Sequence, residues 1–337
     1  MLNQAATFFD TAGLSWLVPI TRLLAGQDPR QQLREILIQI GVPVLAFAVF
    51  LGMWSMLASG VHTSLGTIPG PAQVVHEAAG LVQEHYAERA KAAAFYVRQE
   101  KRNAALLAQD PNAKVVIHPW TGKPTYFDQI VTSLYTVFAG FVLATLVAIP
   151  LGVLCGLSRS FQLALNPLIQ LFKPVSPLAW LPIVTLVVSA VYVTDNPMFE
   201  KSFVTSAVTV TLCSLWPTLI NTALGVASID KDLINVSKVL QLSWTTKVMK
   251  IVLPSSLELI FTGLRLSLGV GWMVLIAAEM LAQNPGLGKF VWDEFQNGSS
   301  HSLGRIMVAV FTIGFIGFVL DRIMQTLQKL ASFGRRA

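Results

Sequence analysis

Charge is what this 337-residue chain has least of: Asp, Glu, Lys and Arg supply only 12% of it, about half the share usual in soluble domains. So few charges cannot hydrate the surface of a soluble particle, and the 53% hydrophobic content with a mean hydropathy of +0.60 places the chain in a lipid bilayer. Cysteine is nearly absent. Cys155 and Cys213 both lie inside apolar runs, which excludes a disulfide framework and a cysteine-based metal site. No G-x-x-x-x-G-K-[ST] loop occurs. The run Gly286-Leu287-Gly288-Lys289 lacks the upstream glycine and the hydroxyl that hold phosphates and magnesium. The chain is therefore expected to have no ATPase site, and no nucleophile, base and orienting acid group at either end of an apolar run. The net charge of +6 is scattered over loops and termini without an aromatic-interleaved basic patch, which argues against a nucleic-acid partner.

What is present is a set of apolar runs at 40–59, 130–156, 163–191, 203–227, 256–281 and 303–324, each long enough for an α-helix to cross ~30 Å of hydrocarbon. An all-α polytopic membrane protein with about six transmembrane helices is the expected fold. The third run is broken by Pro174, Pro177 and Pro182, and such breaks persist in a membrane only where neighbours or a water-filled path satisfy the freed carbonyls. Residues 1–39 read as a cytoplasmic or interfacial segment anchored by Phe8, Phe9 and Trp16, without the basic start of a signal peptide.

Orientation follows from Lys and Arg in the short loops. With the N-terminus inside, the inner segments hold Arg22, Arg30, Arg34, Arg159, Lys231, Lys238, Lys247, Lys250, Lys329, Arg335 and Arg336, against Lys201, Lys289 and Arg305 outside. Both ends are expected to be cytoplasmic. Residues 60–129 form a long outer connection, and 71–109 read as one helix or two. Val74, Val75, Ala78, Leu81, Val82, Tyr86, Ala93 and Val97 mark its apolar face, with Glu84, Glu88, Arg89, Arg98, Glu100 and Lys101 on a solvated one. Among His62, His76, His85 and His118 only the loosely spread pair His76 and His85 approaches zinc-ligand spacing, and no metal site is expected. Residues 130–326 form the core domain with a cytoplasmic loop at 228–254, and 327–337 a cytoplasmic tail.

The most informative stretch is that polar, basic loop between two spans. Val236, Val239, Leu240, Trp244, Val248 and Ile251 are spaced for short amphipathic helices. Ser243 is placed to cap the second, and Pro254 suits the first turn of the next span. Its spacing resembles the coupling loop of ABC-importer permeases, E-A-A-x-x-x-G followed after nine residues by I-x-L-P. Ile251, Leu253 and Pro254 match; Asn235, Val236 and Ser237 stand for the Glu-Ala-Ala, and Gln241 for the glycine. Three further segments carry the resemblance to the nitrate, bicarbonate, taurine and sulfonate branch, and most to its nitrate-type members. They are Lys173 to Pro182 (KPVSPLAWLP), the pair Gly263-Leu264-Arg265-Leu266 and Ala277-Ala278-Glu279-Met280, and Gly288 to Glu294 (GKFVWDE).

The resemblance implies a type I importer permease that dimerises and works with two cytoplasmic ATPase subunits, which bind ATP and Mg. It also implies a periplasmic or lipid-anchored binding protein, and location in the bacterial inner membrane. Residues Asn235, Val236, Ser237, Val239, Leu240, Gln241, Trp244, Ile251, Leu253 and Pro254 then couple to the ATPase. For the path, ionisable residues within spans are costly and by default functional. Arg265, eleven residues past Pro254, lies about 16 Å along its helix; it either faces an anion path or pairs with carbonyls or a carboxylate between helices. Glu279, Lys173, Trp180 and Trp272 are further path candidates. Asp293 and Glu294 are expected to meet the binding protein.

Overall fold

With no water to satisfy their peptide groups, apolar runs of this length close their hydrogen bonds internally as helices. The computed structural model describes residues 18–58, 60–63, 66–110, 114–193, 197–299 and 301–333; the anchor expected at Phe8, Phe9 and Trp16 lies outside them. In chain order come α1 (Val18–Leu24), α2 (Pro29–Ile36), a π turn (Leu37–Gly41) and α3 (Val42–Ala58). A two-residue antiparallel pair follows, β1 (His62–Thr63) and β2 (Gly66–Thr67), and then α4 (Pro71–Gln109), α5 (Tyr126–Leu157), α6 (Arg159–Phe172) and α7 (Pro177–Val191). The rest comprises α8 (Lys201–Ala227), α9 (Lys231–Val239), α10 (Trp244–Lys247), a second π turn (Val248–Val252), α11 (Leu253–Ala282), α12 (Leu287–Asn297) and α13 (Ser302–Phe333).

Five continuous helical stretches are long and apolar enough to span: 29–58, 126–157, 201–227, 244–282 and 302–331. The pair α6 and α7, bent by 101°, brings the number to six when it is counted as one broken span. Its break falls between Phe172 and Pro177, at two of the expected prolines, Pro174 and Pro177, whereas Pro182 lies inside α7; the Ser176 hydroxyl accepts the Leu178 N–H at 3.3 Å to start α7.

Helix α8 is the axis of the domain, packed against α5 on one side and α11 on the other. Glycines set that approach. A Cβ on Gly140 would lie 2.7 Å from Val210, and one on Gly152 2.6 Å from Thr222, so α5 can carry no side chain there. The buried hydroxyls of Thr209 and Ser214 donate to the carbonyls one turn back, at 2.8 and 2.7 Å, and Thr218 meets Ser267 of α11 at 2.7 Å. Hydrogen bonds to the helix's own carbonyls let such residues face a dry interior.

Both π turns end two residues before a proline, Pro43 and Pro254. Proline lacks an N–H and its ring pushes away the carbonyl four residues back; one wider turn absorbs both effects without ending the helix. Pro254 accordingly sits in the first turn of α11, as expected, yet the helix runs unbroken from Trp244 to Ala282.

The 71–109 segment is one helix: α4 has 39 residues, about 58 Å at 1.5 Å per residue. Its apolar face differs from the expected one. Val74 and Leu81 are buried with Glu77, Gln99 and Asn103, whereas Val75, Val82, Tyr86 and Val97 are exposed. The helix docks near its start through Val74 and Leu81 in the core and through Glu77 on His301, and its second half is strapped by residues 114–125. There Gln99 pairs with the His118 backbone and the Trp120 N–H donates to the Tyr96 hydroxyl at 3.0 Å, while in the first half His85 Nδ1 lies 2.8 Å from Thr125 Oγ1. Charges assigned to a solvated face are also paired: Arg89 with Asp128, and Glu84 with Arg305.

Candidate functional site

At the end of the spans away from α4, the Asn235 to Pro254 stretch divides into an exposed part and an anchored part. Asp230 caps α9 by accepting the Asp232 N–H at 2.9 Å, and Ser243 caps α10 through the Thr246 N–H at 3.3 Å. Between them Gln241 adopts φ 47°. The Leu242 N–H returns to the Ser237 carbonyl at 3.1 Å and the Gln241 N–H to Lys238 at 3.0 Å, the two bonds of a Schellman cap. This left-handed residue occupies the position of the glycine in the resembled motif. Gln241 supplies the same turn at a steric cost glycine would avoid.

Val239 is 82% exposed and Trp244 59%, and Asn235, Val236, Leu240 and Gln241 are exposed with them. Ser237 is buried, its hydroxyl on the Ile234 carbonyl at 2.6 Å. Ile251 is half-buried, and Leu253 packs on a cluster of Val153, Val226, Val248 and Val252 that ties the loop to α5 and α8. The stretch is thus a pair of short helices presenting apolar side chains outward on a fixed base.

Arg265 points from α11 to α13, where its guanidinium grips Asp321 through Nε and, at 3.0 Å, Nη2. Of the partners raised by the sequence, the carboxylate is the one present. The pair forms part of the wall of a cavity of about 600 Å³ bordered also by Thr262, Gly269, Met273 and Gln328. Gly263 packs against α8, with an added Cβ 2.9 Å from Asn221, while nothing lies within 4 Å of a Cβ at Gly269. One glycine serves packing and the other opens the cavity.

Glu279 lies in the interior of the helix packing. It is fully buried; Ser133 Oγ lies 2.8 Å from both its oxygens and the Gly288 N–H donates at 3.0 Å, which seats the carboxylate at the N-terminus of α12. Trp272 is likewise core, its indole N–H on the Ile313 carbonyl at 3.0 Å. Trp180 packs on Phe172 with centroids 5.7 Å apart, and Lys173 is exposed at the α6–α7 break. Asp293 is accessible and paired with Lys289 at 2.7 Å. Glu294, the other residue expected to meet the binding protein, is buried, accepting from the Ser302 hydroxyl at 3.0 Å and Arg305 at 3.4 Å. Amphipathic α12 turns it inward, because its neighbours Leu287 and Phe290 fill the core.

Residues 148–332, more than half of the chain, match the family described as the binding-protein-dependent transport system inner membrane component. The chain belongs to this family. Among its relatives, the nitrate import permease protein NrtB of Leptolyngbya laminosa is 32% identical over 280 residues, 83% of each chain. That of Synechocystis sp. is 31% identical over 288 residues, 86% of this chain and 88% of the relative. The bicarbonate transport system permease protein CmpB of Synechocystis sp. is 39% identical over 210 residues, 62% of this chain and 70% of the relative. The inward-facing MetNI methionine ABC transporter shares the fold at a TM-score of 0.52 and 13% identity, covering 61% of this chain and 95% of that one.

In this transport permease several site residues escape sequence reading. Asp321 leaves a faint signal, a carboxylate inside the last apolar run. Ser133 and Glu77 leave none, since their partners Glu279 and His301 lie 146 and 224 residues away.

Proposed function

We propose that this permease is the membrane subunit of an ATP-driven importer for a small oxyanion, nitrate first, with bicarbonate, taurine or an alkylsulfonate behind it. ATP and Mg²⁺ are bound by separate cytoplasmic ABC ATPase subunits. A periplasmic or lipid-anchored binding protein delivers the anion, and two copies of the permease enclose the path in the bacterial inner membrane with both termini cytoplasmic. The observation that carries the reading is the exposed α9–α10 face at the basic end of the spans. A Schellman turn holds Val239 and Trp244 in water, where apolar side chains gain by docking on a protein. Closure of the ATPases, transmitted through this face to α11, then alternates the accessibility of the path. The names of the relatives support the anion class, and Arg265 supplies a fixed positive charge at mid-helix.

Uptake by the reconstituted complex in liposomes tests this, with labelled nitrate, bicarbonate and taurine and with or without ATP on the cytoplasmic face. ATP-dependent accumulation of nitrate is the expected result. Gradient-driven flux through this chain alone, without ATP or partners, would overturn the reading in favour of a stand-alone transporter or channel.

A further inference from the structure

Asp321 is held by three donors: Arg265 Nε, Arg265 Nη2 and, at 3.1 Å, Gln325 Nε2. The side chains of the pair are 38% and 39% exposed, and both border the cavity of about 600 Å³ between α11 and α13. A purely structural ion pair between membrane helices is best kept out of reach of competing ions, since water and salt weaken it. This one faces a space large enough for a small anion and its water.

The chemistry of the grip matters more than its charge. A guanidinium fork takes two oxygens of a planar group in one plane, here Oδ1 and Oδ2 of Asp321. Nitrate and bicarbonate are planar trigonal oxyanions that present the same two-oxygen edge as a carboxylate. Asp321 therefore has the shape and charge of the cargo, covalently attached beside the Arg265 site.

We propose that Asp321 is the resident counter-anion of Arg265, holding the site between deliveries and exchanging with each incoming planar oxyanion. Resting on the reading above, this adds a role for a residue on another helix. An anion that arrives replaces one carboxylate edge by another, so Arg265 is never left bare. When Asp321 returns, it expels the anion, and the cargo is not trapped by a fixed charge. Asp321 acts as a positioning residue through Arg265. The device favours planar monovalent oxyanions over ions that lack a two-oxygen edge, such as chloride.

The test measures retention of labelled nitrate by the purified permease–ATPase complex without binding protein, for wild type, Asp321→Asn and Arg265→Gln/Asp321→Asn, alongside liposome uptake. With the competitor gone, Asp321→Asn should retain nitrate at least ten-fold more tightly than wild type and transport it at least ten-fold more slowly. The double variant should assemble, retain none and not transport. Nitrate retention in Asp321→Asn equal to wild type overturns the proposal. So does a double variant that transports normally, which would make the pair a structural strut. Absence of ATP-driven nitrate and bicarbonate uptake in the wild type would instead be a failure of the functional reading.

Discussion

Ser133 on α5 and Glu279 on α11 meet in the dry interior, the hydroxyl 2.8 Å from both carboxylate oxygens, although 146 residues separate them. The same hydroxyl oxygen accepts the Leu287 N–H at 2.8 Å. One serine thereby joins two spans and the first turn of α12. Ser133→Ala leaves a buried carboxylate with one donor fewer and an orphaned amide, and should cost about 2–3 kcal/mol. The check is the thermal unfolding of the purified complex in detergent. Gly286→Ala should be worse, because a Cβ there collides with the Glu279 carboxylate.

Arg305 of α13 binds Glu84 of α4 and Glu294 of α12, with Glu77 of α4 at 3.8 Å. Glu77 and Glu294 have side chains only 7% exposed. Arg305→Met strips Glu294 of its cation and leaves Glu77 with His301 alone, and breaking a buried pair from one side costs about 3–5 kcal/mol. Hydrogen exchange read by mass spectrometry should accelerate along α4 and spare α8. Unchanged protection of α4 would show that its apolar contacts alone hold it down.

At Gln241 the left-handed backbone gives a prediction with opposite signs. Gln241→Gly relieves ~1–2 kcal/mol of steric strain against ~0.5–1 kcal/mol of chain entropy, and should leave stability unchanged or slightly raised. Gln241→Val should lower it and shift the α9 end, reducing ATPase association. A Gly variant weaker than wild type in co-purification would mean that the glutamine side chain itself contacts the partner.

The outward apolar face of α9 and α10 predicts the coupling surface. Val239→Glu combined with Trp244→Glu places two charges where an apolar partner surface is expected, and should lower co-purification of the ATPase at least ten-fold. Thermal stability of the permease should change little, because both side chains are exposed. Normal ATP-driven uptake in that variant would remove the face from the coupling path.

Composition and periodicity determined the membrane class, the six runs and the polar loop, because a bilayer imposes one simple demand: about twenty apolar residues whose backbone bonds close internally. The proline break of the third span was legible for the same local reason, and so were the caps at Ser243 and the entry at Pro254. The tertiary structure alone decided which charges meet. Glu294 turned inward, Arg265 found Asp321 across 56 residues, and Ser133 found Glu279 across 146. Local pattern reports how a segment contacts its solvent. A buried polar pair is set by which helices adjoin, here fixed by glycines 140 and 152 that bring α5 against α8, and that proximity has no period in the sequence.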